Sequence, residues 1–264
     1  MRNQALHRKI STAIRWRVFN PKTPRITKPT TDLIRLGSRY GGKFVDSSNL
    51  DKNSFFVSGG AGEDISFELE LQKQIGLNTY IIDPTPEAIK HFKKVSERGP
   101  KNREVDYSDS SRQDPRSYDT SELEFSKVSF IQEALWNRTK KIKFYKPNDG
   151  TRDSSHSISG IHNNYRKNGQ RIIVQATTIP EFLLRNGISH IDLLKLDIEG
   201  AAMEVLESTF LASIFPKQIL LEVDELHFPG PKSWIRARKT FKLLNRYEYI
   251  CINRDNCDFT FIRF

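Results

Sequence analysis

Two segments, far apart in the chain, each run from apolar residues into glycine and carboxylates. The first is Phe55-Phe56-Val57-Ser58-Gly59-Gly60-Ala61-Gly62-Glu63-Asp64-Ile65-Ser66-Phe67. The second is Ile191-Asp192-Leu193-Leu194-Lys195-Leu196-Asp197-Ile198-Glu199-Gly200. A buried strand that stops at Gly59-Gly60-Ala61-Gly62 lets the backbone turn sharply and brings N–H groups close to a ligand. The strict dinucleotide spacing G-x-G-x-x-G fails, because counting from Gly60 and Gly62 the third glycine position holds Ile65. Glu63 and Asp64 also set negative charge where a pyrophosphate would lie. A cofactor with cationic character and no phosphate suits them better, and S-adenosyl-L-methionine offers a sulfonium, an ammonium and a ribose diol. Asp83, at the end of the next apolar run, has the chemistry to accept hydrogen bonds from both ribose hydroxyls; it equally suits the cap of the helix after Pro84.

Asp197 and Glu199 flank Ile198, so strand alternation puts both on one side of the chain. Two carboxylates at a cleft serve proton transfer, cation stabilisation or metal binding; the bland reading is a helix start whose dipole they offset. Lys195, two residues back from Asp197, is placed to pair with one of them. His156 and His227 are candidate bases or substrate contacts, and equally ordinary exposed histidines. No zinc spacing, P-loop or Ser-His-Asp arrangement is present, and no metal ligand is assigned.

From about residue 54, strand-like and helix-like runs alternate, which predicts βαβ units and a mostly parallel sheet of Rossmann-like type. Strands are expected at Ser54–Ser58, Thr79–Asp83, Val128–Ile131, Ile191–Asp197 and Gln218–Val223. Helices are expected from Glu63 to Ile75, from Pro86 through Val95, from Thr178 to Gly187, from Gly200 to about Thr209 and from Ser233 to Asn245. Tyr247–Asn253 and Asp258–Arg263 read as a C-terminal hairpin, leaving one antiparallel strand at or near the edge. Glu97 to Glu122 reads as a polar surface loop. Pro147–Gln170 is a lid for the site or a solvated insertion.

The chain has 264 residues and a net charge of +10. Residues 1–50 hold eleven Lys/Arg against Asp32 and Asp46, so nine of those ten charges belong to an N-terminal arm. The body is nearly neutral, which argues against a nucleic-acid partner. Leu6, Ile10, Ile14 and Val18 recur among cations, as in a short amphipathic helix on an anionic membrane surface, or one that packs on the domain. Prolines at 21, 24 and 29 mark a linker. The expected division is an arm and linker over 1–40 and one domain over 41–264. No apolar run approaches the roughly 18 residues of a membrane span, and no secretory apolar region is seen. Two cysteines suit free thiols in a cytoplasmic setting.

Asp192-Leu193-Leu194-Lys195-Leu196-Asp197-Ile198-Glu199-Gly200-Ala201, followed by Glu204-Val205-Leu206, resembles the signature of FkbM-type methyltransferases. Gly62-Glu63-Asp64-Ile65-Ser66-Phe67, Asp83-Pro84-Thr85-Pro86, Ala134-Leu135-Trp136, Ser155-His156-Ser157 and Leu220-Leu221-Glu222-Val223 resemble a branch of the same family. The resemblance implies a seven-stranded class I fold and S-adenosylmethionine-dependent O-methylation of a sugar, glycan or natural-product hydroxyl. On it, Ser58, Gly59, Gly60, Gly62, Glu63 and Asp64 hold the methionine part, Asp83 the ribose, and Glu133-Ala134 the adenine edge. Asp197 and Glu199 stand at the transfer centre, with His156 contributed by the lid. Ser58 departs from the carboxylate that many methyltransferases carry there, which passes the amine contact to Glu63 or Asp64. Two other readings remain open: a nicotinamide enzyme of Rossmann-like fold, and a catalytically silent cofactor-binding module at a membrane.

Overall fold

The computed structural model describes residues 18–19, 21–27, 33–145, 171–227 and 230–264. An antiparallel hairpin, β1 (Leu33–Leu36) and β2 (Lys43–Asp46), comes first. Strand and helix then alternate through β3 (Phe55–Gly59), α1 (Ser66–Ile75), β4 (Asn78–Ile82), α2 (Pro86–Ser96) and β5 (Val128–Ile131). A small sheet interrupts them, formed by β6 (Ala134–Leu135), β7 (Lys140–Tyr145) and β8 (Arg171–Thr177) in the order β6-β8-β7. Next come α3 (Ile179–Asn186), β9 (Leu193–Leu196), α4 (Ala202–Leu211) and β10 (Gln218–Glu222). α5 (Pro231–Arg246), β11 (Ile250–Asp255) and β12 (Asp258–Ile262) end the chain's fold.

The large sheet has seven strands in the order β11-β12-β10-β9-β3-β4-β5. Its inner strands are apolar almost throughout, as strands covered on both faces must be. β12 runs antiparallel to both neighbours and lies one place in from the edge, as the hairpin predicts. The strand order turns back between β3 and β9, whose ends Gly59 and Leu196 are paired in register. Ligands of open α/β sheets bind at such a switch point. On one face α3, α4 and α5 bury Phe182, Val205, Phe210 and Leu244 against Val57, Leu194, Ile219 and Phe261. On the other, α1 and β2 bury Phe67, Leu71 and Val45 against Phe56, Leu193 and Leu220. Each such side chain contributes about 1.5–3 kcal/mol when buried.

The hairpin moves the N-terminal boundary ahead of residue 41. Gly37 adopts φ 89° and lets β1 fold back on β2. β2 then docks on the sheet: Gln218 exchanges two hydrogen bonds with the Asp46 backbone, and Thr260 Oγ1 donates to the Phe44 carbonyl. α1 starts at Ser66 rather than Glu63, because Gly62 is left-handed (φ 53°) and Asp64 Oδ1 accepts the Ser66 N–H. β9 is shorter than the apolar run, since the Asp192 carboxylate is used to accept the Phe55 N–H.

Residues 97–122 are more than a surface loop. Tyr118 is fully buried, its hydroxyl 2.7 Å from His91 Nε2 and accepting from the Ile65 N–H. Gln113 is buried as well, bonded to Asp64. The polarity of this segment serves the backbone it packs against, which composition alone does not reveal.

Candidate active site

The end of β3 is a tight place. Gly60 has φ 84°, and a Cβ there would stand 1.8 Å from the Asp197 carbonyl oxygen, so only glycine lets the β3 and β9 ends meet. Gly62 is also left-handed, but open space surrounds it. Asp83 fastens this turn from β4: Oδ2 accepts the Ala61 and Gly62 N–H groups at 2.9 and 3.0 Å, and Oδ1 accepts from Thr85 N–H and Oγ1. A carboxylate has about four acceptor positions, and Asp83 spends them on the glycine turn and Thr85 while it lines the cleft. The helix cap falls to Thr85, which accepts from Ala88. Asp64 ties the turn to its surroundings, with Ser38 Oγ at 2.6 Å and Gln113 Nε2 at 3.1 Å on Oδ2. Glu63 is paired with Arg112 at 2.6 Å.

Beneath the turn lies a buried ion pair. Lys195 Nζ, from the middle of β9, sits 3.0 Å from Glu68 Oε1 and donates to the Gly60 carbonyl at 2.9 Å. Burial pushes this ammonium down, but Glu68 and Asp197 outweigh it and keep it charged. Ser58 Oγ donates to the same Glu68 oxygen. The carboxylate that β3 lacks is thus present next door, but it serves the lysine.

A second cluster stands where β2, β9, β10 and β12 converge. Lys43 Nζ is 3.2 Å from Asp197 Oδ2, 2.5 Å from Asp258 Oδ1 and 4.0 Å from Glu222 Oε2. Burial pushes Asp197 up, but Lys43, a hydrogen bond from Glu222 and Lys195 together hold it well below the usual carboxylate range. Glu222 moves the other way: burial and the facing Asp197 charge push it well up. Asp224 is also raised, by burial and by Glu199 and Asp197, while its Oδ2 accepts the Gly200 N–H at 2.6 Å. His227 Nε2 lies 3.2 Å from Glu222 Oε1, and hydrogen bonding to Cys257 and Glu222 pushes it up to about 11. The carboxyls of this cluster are thus pushed in opposite directions, Asp197 down and Glu222, Asp224 and Asp258 up, a pattern typical of reactive sites.

Both clusters border an open cleft of about 900 Å³, its mouth included, lined by Gly60, Gly62, Glu63, Asp64, Asp83, Asp197 and Glu199. Ile82, Ala134, Leu135 and Phe144 make its apolar wall. Glu199 does not reach it by strand alternation, because β9 has already ended. Glu199 and Gly200 are instead consecutive left-handed residues, φ 47° and 76°, a strained turn of the kind found at functional sites. Among the described residues no group of three or more His, Cys, Asp or Glu is set to hold a metal ion.

Several expected positions are corrected. Ser58 is buried against Glu68, outside the cleft lining, and Gly59 lies behind it against Leu135. Glu133 turns away to form a two-pronged pair with Arg185 at 2.9 and 2.5 Å, leaving Ala134 as the residue of that pair on the cleft wall. Lys195 pairs with Glu68 rather than chiefly with Asp197 or Glu199. His156 and the lid reading of 147–170 lie outside the described residues. Lys43 and Asp258 were missed, though Gly41-Gly42 before Lys43-Phe44-Val45-Asp46 signals a turn into a strand.

No curated protein sequence matches the chain. Among solved structures, M. jannaschii TYW2 in complex with AdoMet matches over 91% of this chain and 90% of its own, at 11% identity and a TM-score of 0.34. A likeness that distant transfers neither ligand nor substrate. The family profile described as Methyltransferase FkbM domain matches residues 51–251, from the loop before β3 into β11. That span takes in the glycine turn, the strained 199–200 turn, the Lys195–Glu68 pair, Asp197 and Glu222, though not Lys43 or Asp258, and the chain belongs to the FkbM family of S-adenosylmethionine-dependent methyltransferases.

Proposed function

We propose that the enzyme methylates a hydroxyl oxygen of a sugar, glycan or natural product, with Asp197 receiving the hydroxyl proton. The observation that carries this is the Asp197 carboxylate at the switch-point cleft, its charged form favoured by a buried lysine 3.2 Å away.

The residues present fit the cofactor. Gly60 admits close backbone approach, Glu63 and Asp64 offset a sulfonium and an ammonium, and Ile82, Ala134, Leu135 and Phe144 suit an adenine face. When bound, S-adenosylmethionine supplies an electrophilic methyl. The protein's share is alignment of the acceptor oxygen, which supplies much of the rate of an in-line displacement, and removal of its proton. Asp197 accepts a hydrogen bond from the hydroxyl, and Lys43 fixes its orientation. Glu222 shares a hydrogen bond with Asp197, and Glu199 lines the same cleft.

Calorimetric titration with S-adenosylmethionine, S-adenosylhomocysteine and NAD comes first, followed by labelled-methyl transfer to glycan and small-hydroxyl acceptors. Asp197→Asn should leave cofactor affinity within a few-fold and abolish transfer. Unchanged turnover removes Asp197 from the mechanism, and methyl appearing on nitrogen or carbon removes the O-methyl assignment.

A further inference from the structure

Several cations of the body have partners: Lys73 with Asp119, Arg98 with Glu104, Arg103 with Glu70, Arg185 with Glu133. The β11 side of the sheet differs. α5 carries six Lys/Arg and no Asp or Glu. Among the described residues only Arg236 of these six is ion-paired, to Glu204 and Glu225. Lys232, Arg238, Lys239, Lys242 and Arg246 are exposed. Residues 21–27 lie across the edge strand: the Thr27 N–H donates to the Cys251 carbonyl at 2.8 Å, and Arg254 donates to Thr23 Oγ1 at 3.0 Å. Between this segment and α5 runs a groove walled by Lys22, Arg25, Arg238 and Lys242 over Trp234 and Tyr249, and among the described residues no acid lines it.

Apolar side chains stand among these charges. Ile26, Ile235 and Ile250, one on each of the three elements, are 46, 46 and 37% exposed. Unpaired cations draw a surface toward anionic headgroups, and exposed isoleucines beside a tryptophan gain free energy by entering the headgroup boundary. A nucleic acid would match the charge but gain nothing from the isoleucines. Residues 1–20, with five Lys/Arg and no acid, join the body through the same segment.

We propose that α5, residues 21–27 and the β11 edge form a docking surface for a membrane containing anionic lipid, and that residues 1–20 add to this attachment rather than create it. The proposal is independent of which acceptor is methylated. The test is co-sedimentation of the full chain with phosphatidylcholine vesicles, with and without phosphatidylserine, across a salt series. Binding should require phosphatidylserine, weaken with salt, and fall roughly tenfold or more in the triple variant Arg238→Glu, Lys239→Glu, Lys242→Glu, given three reversed charges at the surface. Calorimetric cofactor titration of the variant should match the parent, which shows it folded. Ile235→Ser, which alters no charge, should weaken binding at high salt more than at low. Undiminished binding of the triple variant assigns the attachment to residues 1–20 alone and overturns the proposal. Equal binding to pure phosphatidylcholine overturns it as well, as does capture of an oligonucleotide with no vesicle binding.

Discussion

Lys43 holds the acidic cluster in its working state. Its ammonium is buried, and although burial pushes it down, Asp197, Glu222 and Asp258 raise it well above the ordinary lysine value. Removing one partner of such a group leaves uncompensated buried charge, at a cost of about 3–5 kcal/mol. Lys43→Met should therefore destabilise the fold by roughly that amount. It should also move the acid limb of the kcat profile to higher pH, because Asp197 loses its strongest opposing charge. Urea unfolding and a pH–rate profile check the two effects separately, and a limb that stays in place would mean another group titrates there. Asp197 and Glu199 were legible from sequence because they close an apolar run beside a glycine. Lys43 was not: it is one of eleven cations in the first 50 residues, and nothing local marks a lysine as buried. The bracing of the glycine turn by Asp83 was hidden for a related reason, since its four donors come from a fold geometry that spacing does not encode.

Between β3 and α1, the glycines separate by space rather than by conformation. Gly60→Ala drives a methyl into the Asp197 carbonyl and should abolish cofactor binding, with a loss of several kcal/mol from strain and overpacking. Gly62→Ala meets nothing within 4 Å and should cost only about 1 kcal/mol for its left-handed φ. Calorimetry and denaturant unfolding of the pair test this contrast. On α2, burial pushes His91 down to about 4, below its unfolded value near 6.5. The unfolded chain then binds the extra proton between these values, so stability is full above pH 6.5 and falls toward pH 4, by on the order of 3 kcal/mol. His91→Gln should flatten that part of the stability curve. The strands and helices of the large sheet were readable to within a few residues, because doubly buried strands and capped helices carry their own signals, such as Thr85-Pro86 and Thr178. The β1–β2 hairpin and the small β6-β8-β7 sheet were not, for their strands are short and mixed in polarity. The packing of residues 97–122 escaped notice because one buried tyrosine anchors a polar segment.

For the molecule as a whole, the hairpin makes the fold begin before the residue-41 boundary that the linker composition suggests. A chain starting at residue 33 should keep the cofactor affinity of the full chain and lose only the few degrees of melting temperature that the 21–27 contacts with β11 supply. One starting at residue 41 loses β1 and the buried Ser38–Asp64 hydrogen bond, and its Tm should fall by roughly 10 °C, at 2–4 °C per kcal/mol. Thermal melts of the two chains distinguish them. The hairpin also draws the acidic cluster from opposite ends of the sequence, because Lys43 and Asp258 are 215 positions apart. At roughly 5–20 residues per second, a ribosome needs about 10–40 s to travel between them. During that interval the nascent chain carries a lysine without its carboxylates and a β10 edge that β12 has yet to cover. The centre therefore closes only after β12 emerges, and substitutions in this strand should lower the yield of folded protein made in cells more than they lower its equilibrium stability.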